Sequence, residues 1–287
     1  MTELLEALTD PDVPLLRYAL IAGVLVSIPL GVVGSYVVTR RISYIAGAIA
    51  HCVLGGIGAG LYLQEVVGLS WCRPMYGAVV AALLSAVVIA LVSLYARQRE
   101  DTVIGALWAV GMAVGLLLLD KVPVYVDPMT YLFGTIILIS PHDLWLVAGL
   151  DVLVVGLGAL FYNKLQAVCF DEEFTELRGV RVKFYYVLLL CLTALTVVLL
   201  VRVVGVVMVI ALMTLPAAVA GNFSRRLWQM MALATLICMA FIVVGLGASY
   251  VSDLPSGPTI IVLAGAVYLI TAVGSRFCRF AAMRCRQ

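Results

Sequence analysis

The sequence predicts an all-α, polytopic transmembrane helical bundle of about nine spans (eight to ten), with the N-terminus outside and the C-terminus inside. Three observations predict it. First, 64% of the 287 residues are hydrophobic, 12% are charged, and mean hydropathy is +1.15. No soluble domain of this length hides that much apolar surface, so the solvent is lipid. Second, apolar runs bounded by charge or Pro/Gly fall at 17–39, 43–63, 74–96, 102–119, 143–162, 184–201, 203–221, 227–249 and 258–275. Most approach the ~20 residues a bilayer crossing needs. Third, the cations are shared unevenly between the two sides that these runs define.

The segment before the first run is acidic rather than basic, which argues against a cleavable signal peptide. The run 17–39 ends at Arg40-Arg41. The next, 43–63, holds His51 and many small residues, with no Lys, Arg, Asp or Glu until Glu65. Small residues recur at Gly55, Gly56, Gly58, Gly60, Gly105, Gly111, Gly245 and Gly247. They let helix backbones approach closely in lipid, where no hydrophobic force draws helices together. The piece 129–139 is too short to cross and reads as a re-entrant or surface helix. The stretch 184–221, interrupted by Arg202 and Gly205, reads as two spans or as one long broken helix. The whole chain, 1–287, is expected to be a single transmembrane domain, with 163–183 as its longest polar inner segment.

With the N-terminus outside, the inner segments hold Arg40, Arg41, Arg97, Arg99, Lys164, Arg178, Arg181, Lys183, Arg225, Arg226, Arg276, Arg279, Arg284 and Arg286. The outer side or the membrane keeps Arg17, Arg73, Lys121 and Arg202. This is the bias that sets orientation, and it requires an odd number of spans.

Few residues offer chemistry. His51 is either a core histidine bonded to a neighbouring helix or a metal ligand. Intramembrane ionisable groups are costly and mark pathways, and neutral imidazole suits borderline metals. A single imidazole is short of the four donors zinc usually takes. On the same helix face, one turn earlier, Gly47 donates nothing, and Cys52 points about 100° away. A second His51 across a symmetry axis, with water, would complete a shell weak enough to release its ion.

The segment 171–179, Asp171-Glu172-Glu173-Phe174-Thr175-Glu176-Leu177-Arg178-Gly179, is acidic first and basic last, with Gly179 as a C-cap. It reads as a solvated connector or as a short inner helix that docks on a partner. Arg202 sits at an outer span end, snorkelling to water or gating. Pro216 kinks an apolar helix, as a pathway wall or as packing. His142 lies at an outer turn beside a helix start, and 253–258 is an outer turn. The seven cysteines show no CxxC spacing, which argues against a disulfide framework or thiolate zinc site. There is no Walker A pattern, no triad spacing and no HExxH, so the chain hydrolyses no ATP by itself.

In order along the chain come Arg-Arg-x-Ser-Tyr leading to His51, Tyr131-Leu132-Phe133-Gly134, the acidic segment 171–179, Val204-Gly205 leading to Leu215-Pro216-Ala217-Ala218, and Leu254-Pro255-Ser256-Gly257-Pro258. Together they resemble the membrane permease of ABC-type zinc/manganese/iron importers, the ABC-3 family, over nearly the whole chain. The resemblance implies a pair of permease subunits around a central pathway, cytoplasmic ATPase subunits gripping 171–179 (Asp171, Glu173, Phe174, Glu176, Gly179), and an extracytoplasmic metal-binding protein. It also implies a second-helix Asp-x-x-x-His pattern. His51 matches the histidine, Gly47 stands where the family has Asp, and Thr135 stands where relatives often carry an acid or amide. His51 then acts with a second chain, or the ion passes with little protein ligation, or a better-equipped second permease completes a heterodimer.

The expectation is therefore a multi-pass inner-membrane permease importing Zn2+ (manganese or iron as alternatives) by alternating access. ATP would be bound and hydrolysed on the partner subunit. No permanently bound cofactor and no nucleic-acid partner are expected. Rival readings are an ATP-independent secondary metal transporter or channel, and a non-transport membrane protein.

Overall fold

In a computed structural model, described here for residues 14–69, 71–95, 100–123, 128–134 and 141–284, every described element is a helix. That follows from the solvent, since lipid offers no partner to backbone N–H and C=O groups and a helix satisfies them within itself. The long helices are α1 Pro14–Thr39, α2 Ser43–Glu65, α3 Pro74–Tyr95, α4 Glu100–Asp120, α6 Pro141–Leu160, α9 Val182–Val204, α10 Val206–Phe223, α11 Leu227–Ser252 and α12 Ser256–Arg284. Three short ones are α5 Pro128–Phe133, α7 Tyr162–Phe170 and α8 Glu172–Leu177.

Eight of the described helices are long and apolar enough to cross a membrane, or up to nine if the bent pair α6–α7 counts as one span. The run expected as a straight span over 143–162 is in fact this pair, bent by 71° at Phe161. The Tyr162 hydroxyl then accepts the backbone N–H of Trp228, an otherwise unpaired donor in the first turn of α11. The short piece expected over 129–139 is helical as α5, while residues 135–140 lie outside the described residues.

Two groups of helices face each other, with α9 between them. In one, α2 is sandwiched between α3 and α4. In the other, α1 packs on α6, α10 and α11, and α12 covers α10 and α11. Helix α2 is the most enclosed, with 83% of its span window buried against 17% for α4. Its glycines explain how it fits. A Cβ added to Gly55 would lie 2.7 Å from the Gly111 carbonyl oxygen, and one on Gly56 would lie 2.3 Å from that of Gly77. Both neighbours thus touch the α2 backbone itself, which any larger side chain would forbid.

The stretch 184–221 resolves into two helices joined by one residue, Gly205, at φ +84°. Phe133-Gly134 crosses this joint so closely that a Cβ on Gly205 would lie 2.3 Å from Gly134 N. The far end of the Leu-Phe-Gly motif therefore buttresses the α9–α10 turn. Pro216, buried in α10, removes the N–H that would bond Leu212 O. The Cys238 thiol approaches that freed carbonyl from α11 at 3.9 Å.

Candidate functional site

His51 sits midway along α2, 8% exposed, on the face that packs against α4. Residues three and four apart share a helix face, so Gly47, His51, Gly55 and Gly58 form one strip. Opposite this strip, α4 presents Trp108, Gly111 and Gly115 in matching order. The His51 ring stacks on the Trp108 indole, with centroids 4.6 Å apart and planes at 24°. Tyr44 leans on the same indole, 5.8 Å between centroids. His51 Nδ1 has no hydrogen-bond partner among the described residues. An imidazole kept for packing alone normally has its buried nitrogens paired.

Cys52 does not join His51 as a donor. Its thiol is committed to the Leu107 carbonyl oxygen at 3.3 Å. Among the described residues no three His, Cys, Asp or Glu side chains gather closely enough to hold a metal ion. One chain therefore contributes one imidazole at this level, flanked by an indole. Beside it, α3 and α4 splay apart over the glycine face of α2. They leave an apolar groove of about 600 Å³ that runs from Cys52 and Ser85 to Trp71.

The second locus lies where α1 and α9 meet the α7–α8 segment. Asp171 caps α8, its Oδ1 accepting the Phe174 N–H at 3.0 Å. Glu173, Phe174, Glu176, Leu177, Arg178 and Gly179 are exposed, while Thr175 is buried against the bundle. Gly179, at φ +77°, ends the helix where a Cβ-bearing residue would be strained. The result is an acidic rim around two apolar side chains, with Leu177 86% exposed. Glu172 points the other way and pairs with Arg40. Arg40 also donates from Nη1 to the Val168 carbonyl at 3.1 Å, and its guanidinium lies 5.3 Å from the Tyr186 ring centre. Arg41, at φ +62°, turns the chain into α2 directly afterwards.

Of the other sequence candidates, Pro216 is buried within α10, a helix that packs directly against α2. Arg202 lies in the last turn of α9, and its side chain lies outside the described residues, as does that of His142. Thr135 lies outside them altogether.

Three residues take contacts in the structure that the sequence did not point to. Trp108 carried no signal, because its pairing with His51 depends on how α4 docks. Arg40 counted towards orientation and within the Arg-Arg-x-Ser-Tyr run, with no sign of its reach to Glu172. Asp151 was legible as one acid within the run 143–162. The structure places it 7% exposed on the buried stripe of Val147, Leu150 and Val154, with neither carboxylate oxygen bonded among the described residues.

A family model described as the ABC 3 transport family matches residues 12–275. A probable metal transport system membrane protein of Chlamydia trachomatis is 36% identical over 264 residues, covering 92% of this chain and 90% of its own. The manganese transport system membrane protein MntC of Listeria monocytogenes is 30% identical over 255 residues, covering 89% of each chain. Among solved structures, PsaBC from Streptococcus pneumoniae in complex with Fab superposes with a TM-score of 0.81 at 28% identity, over 94% of each chain.

Proposed function

Since the chain belongs to the ABC 3 transport family, we propose that it imports a divalent transition metal into the cytoplasm, with zinc favoured over manganese or iron. It is the multi-pass membrane permease of a metal ABC transporter, a transport component and not an enzyme. The helices around His51 rock between outward and inward openings. Separate ATPase subunits supply the work by pushing on α8 through Glu173, Phe174, Glu176 and Gly179. Asp171 holds α8 in shape, an extracytoplasmic protein delivers the ion, and a second permease, identical or not, faces this one. Arg202 acts as an outer gate and Pro216 as a wall of the pathway.

The observation that carries this reading is the buried imidazole whose Nδ1 has no hydrogen-bond partner among the described residues, on the most enclosed helix of the bundle. A buried ionisable group within a span is expensive unless it does something. Zinc is favoured because, among the described residues, His51 offers a nitrogen donor with no carboxylate gathered beside it. Weak ligation suits a carrier that must also release. The positive-inside bias and the cation–aromatic pairs near α8 (Lys164 with Tyr185, Lys183 with Tyr95) support the α8 end as the cytoplasmic one.

The test is uptake of radiolabelled zinc and manganese by vesicles that contain this permease with its ATPase. His51→Ala should abolish uptake while leaving assembly intact, and normal uptake in that variant would remove the ligand role.

A further inference from the structure

We infer that Trp108 determines which cation the His51 site accepts, by holding the imidazole and by filling the space a second donor would need. This rests on His51 being the ligand. Three observations converge on the indole. It stacks on the His51 ring at 4.6 Å. It also closes the space over Gly47, where a Cβ would lie 2.7 Å from Cζ3 and 3.0 Å from Cη2. Real Cβ atoms do not sit that close, so no side chain fits at position 47 while the indole is in place. Tyr44 also contacts the indole, with ring centroids 5.8 Å apart, and its hydroxyl approaches the bare Gly105 of α4.

The chemistry follows from these contacts. A residue at 47 shares the helix face of His51 and is the natural position for a second ligand on α2. Here that volume belongs to a ring that donates no lone pair. An ion at His51 therefore meets one nitrogen, an aromatic face, and whatever water or a second copy of the chain supplies. Borderline cations such as zinc tolerate nitrogen-led ligation, whereas manganese favours carboxylate oxygen. Metal binding also makes the imidazole electron-poor and cationic, which strengthens its attraction to the indole face. The stack thus favours the loaded ring over the empty one. It fixes the ring plane as well, so Nδ1 and Nε2 are presented in one orientation.

The experiment uses the complete transporter in vesicles, with zinc and manganese uptake expressed per assembled complex. Trp108→Phe, which keeps a stacking ring, should transport nearly as the parent does. Trp108→Leu, which keeps bulk but not the ring, should raise KM for zinc roughly threefold to tenfold, the worth of one aromatic pair. Maximal rate should change less than twofold. Gly47→Asp alone should fail to assemble or to transport, because the indole occupies its space. Gly47→Asp with Trp108→Ala should recover assembly and raise the ratio of manganese to zinc uptake about tenfold. The inference is overturned if Gly47→Asp alone transports like the parent. It is also overturned if Trp108→Leu assembles with both KM values unchanged, or if the double variant recovers with its metal preference unaltered. Normal uptake by His51→Ala would remove the ligand assignment and this inference together. Loss in His51→Ala with parental behaviour in every Trp108 and Gly47 variant would remove this inference alone.

Discussion

Removing the Arg40 side chain should uncouple ATP hydrolysis from metal movement, and should do so more severely than removing its ionic partner. Arg40 lies at the junction of three elements: α1, which it follows; α2, which begins three residues later and carries His51; and the α7–α8 segment. Its contacts are of three kinds. The ion pair with Glu172 is partly solvated, with side-chain exposures of 20% and 42%, so after screening it is worth at most ~1 kcal/mol. The donation to the Val168 carbonyl comes from a charged group to a partly buried acceptor and is worth about 1.5 kcal/mol. The approach to the Tyr186 ring adds ~0.5–1 kcal/mol. Arg40→Met therefore loses about 3 kcal/mol of linkage between the α1–α2 turn and the α7–α8 segment with the start of α9, whereas Glu172→Gln loses about 1 kcal/mol or less. With a factor of ten for each ~1.4 kcal/mol, the first weakens the joint roughly a hundredfold and the second about fivefold. The assay is metal taken up per ATP hydrolysed in proteoliposomes, with ATPase association measured alongside. The swapped pair Arg40→Glu with Glu172→Arg should not recover coupling, because the Val168 carbonyl and the Tyr186 ring still lose their cation. Equal defects in the two single variants, or full recovery in the swap, would refute the reasoning.

Gly56→Leu should block assembly. A Cβ there already meets Gly77 O at 2.3 Å and the Ala81 methyl at 2.6 Å, so α3 must be pushed away at a cost of about 3 kcal/mol or more; detergent thermal stability reads this, and a normal melting temperature would contradict it. Glu173→Lys with Gly179→Trp should abolish ATP-coupled uptake, because the acidic rim is reversed and Gly179 holds φ +77°; unchanged ATPase association in co-purification would reject docking on α8. Leu177→Ser should weaken ATPase association by roughly tenfold without altering detergent stability, since the side chain is 86% exposed and supports nothing within the bundle. Asp151→Leu should raise thermal stability by ~1–3 kcal/mol, because it replaces a buried carboxylate that lacks a partner among the described residues; a fall in stability would show that the carboxylate is satisfied in the membrane.

The enclosure of α2 was legible because a run so rich in Gly and Ala, without charge from Ser43 to Gln64, suits only the centre of a bundle. The segment 171–179 was legible because charge order and a glycine helix end are local properties; Gly179 ends the helix at φ +77°, while the Asp171 cap on the Phe174 N–H came only from the structure. The bend at Phe161 was not, because an apolar run reports its length and not its direction. The choice between one broken helix and two over 184–221 went to two, since Gly205 adopts a φ that only glycine holds easily and the backbone of Gly134 needs the space beside it.

By itself the sequence determined the solvent, the helical class, the approximate number of spans and the imidazole most open to a function. Those properties follow from composition and from patterns within one helix turn or one span. Only the tertiary structure decided that Trp108 would close over Gly47 and His51, and that Arg40 would reach across to Glu172. Such pairs join residues 57 and 132 positions apart, and they depend on how each helix is rotated about its axis. Rotation in lipid is set by which small residues permit close contact with which neighbour, a property of helix pairs rather than of any one segment.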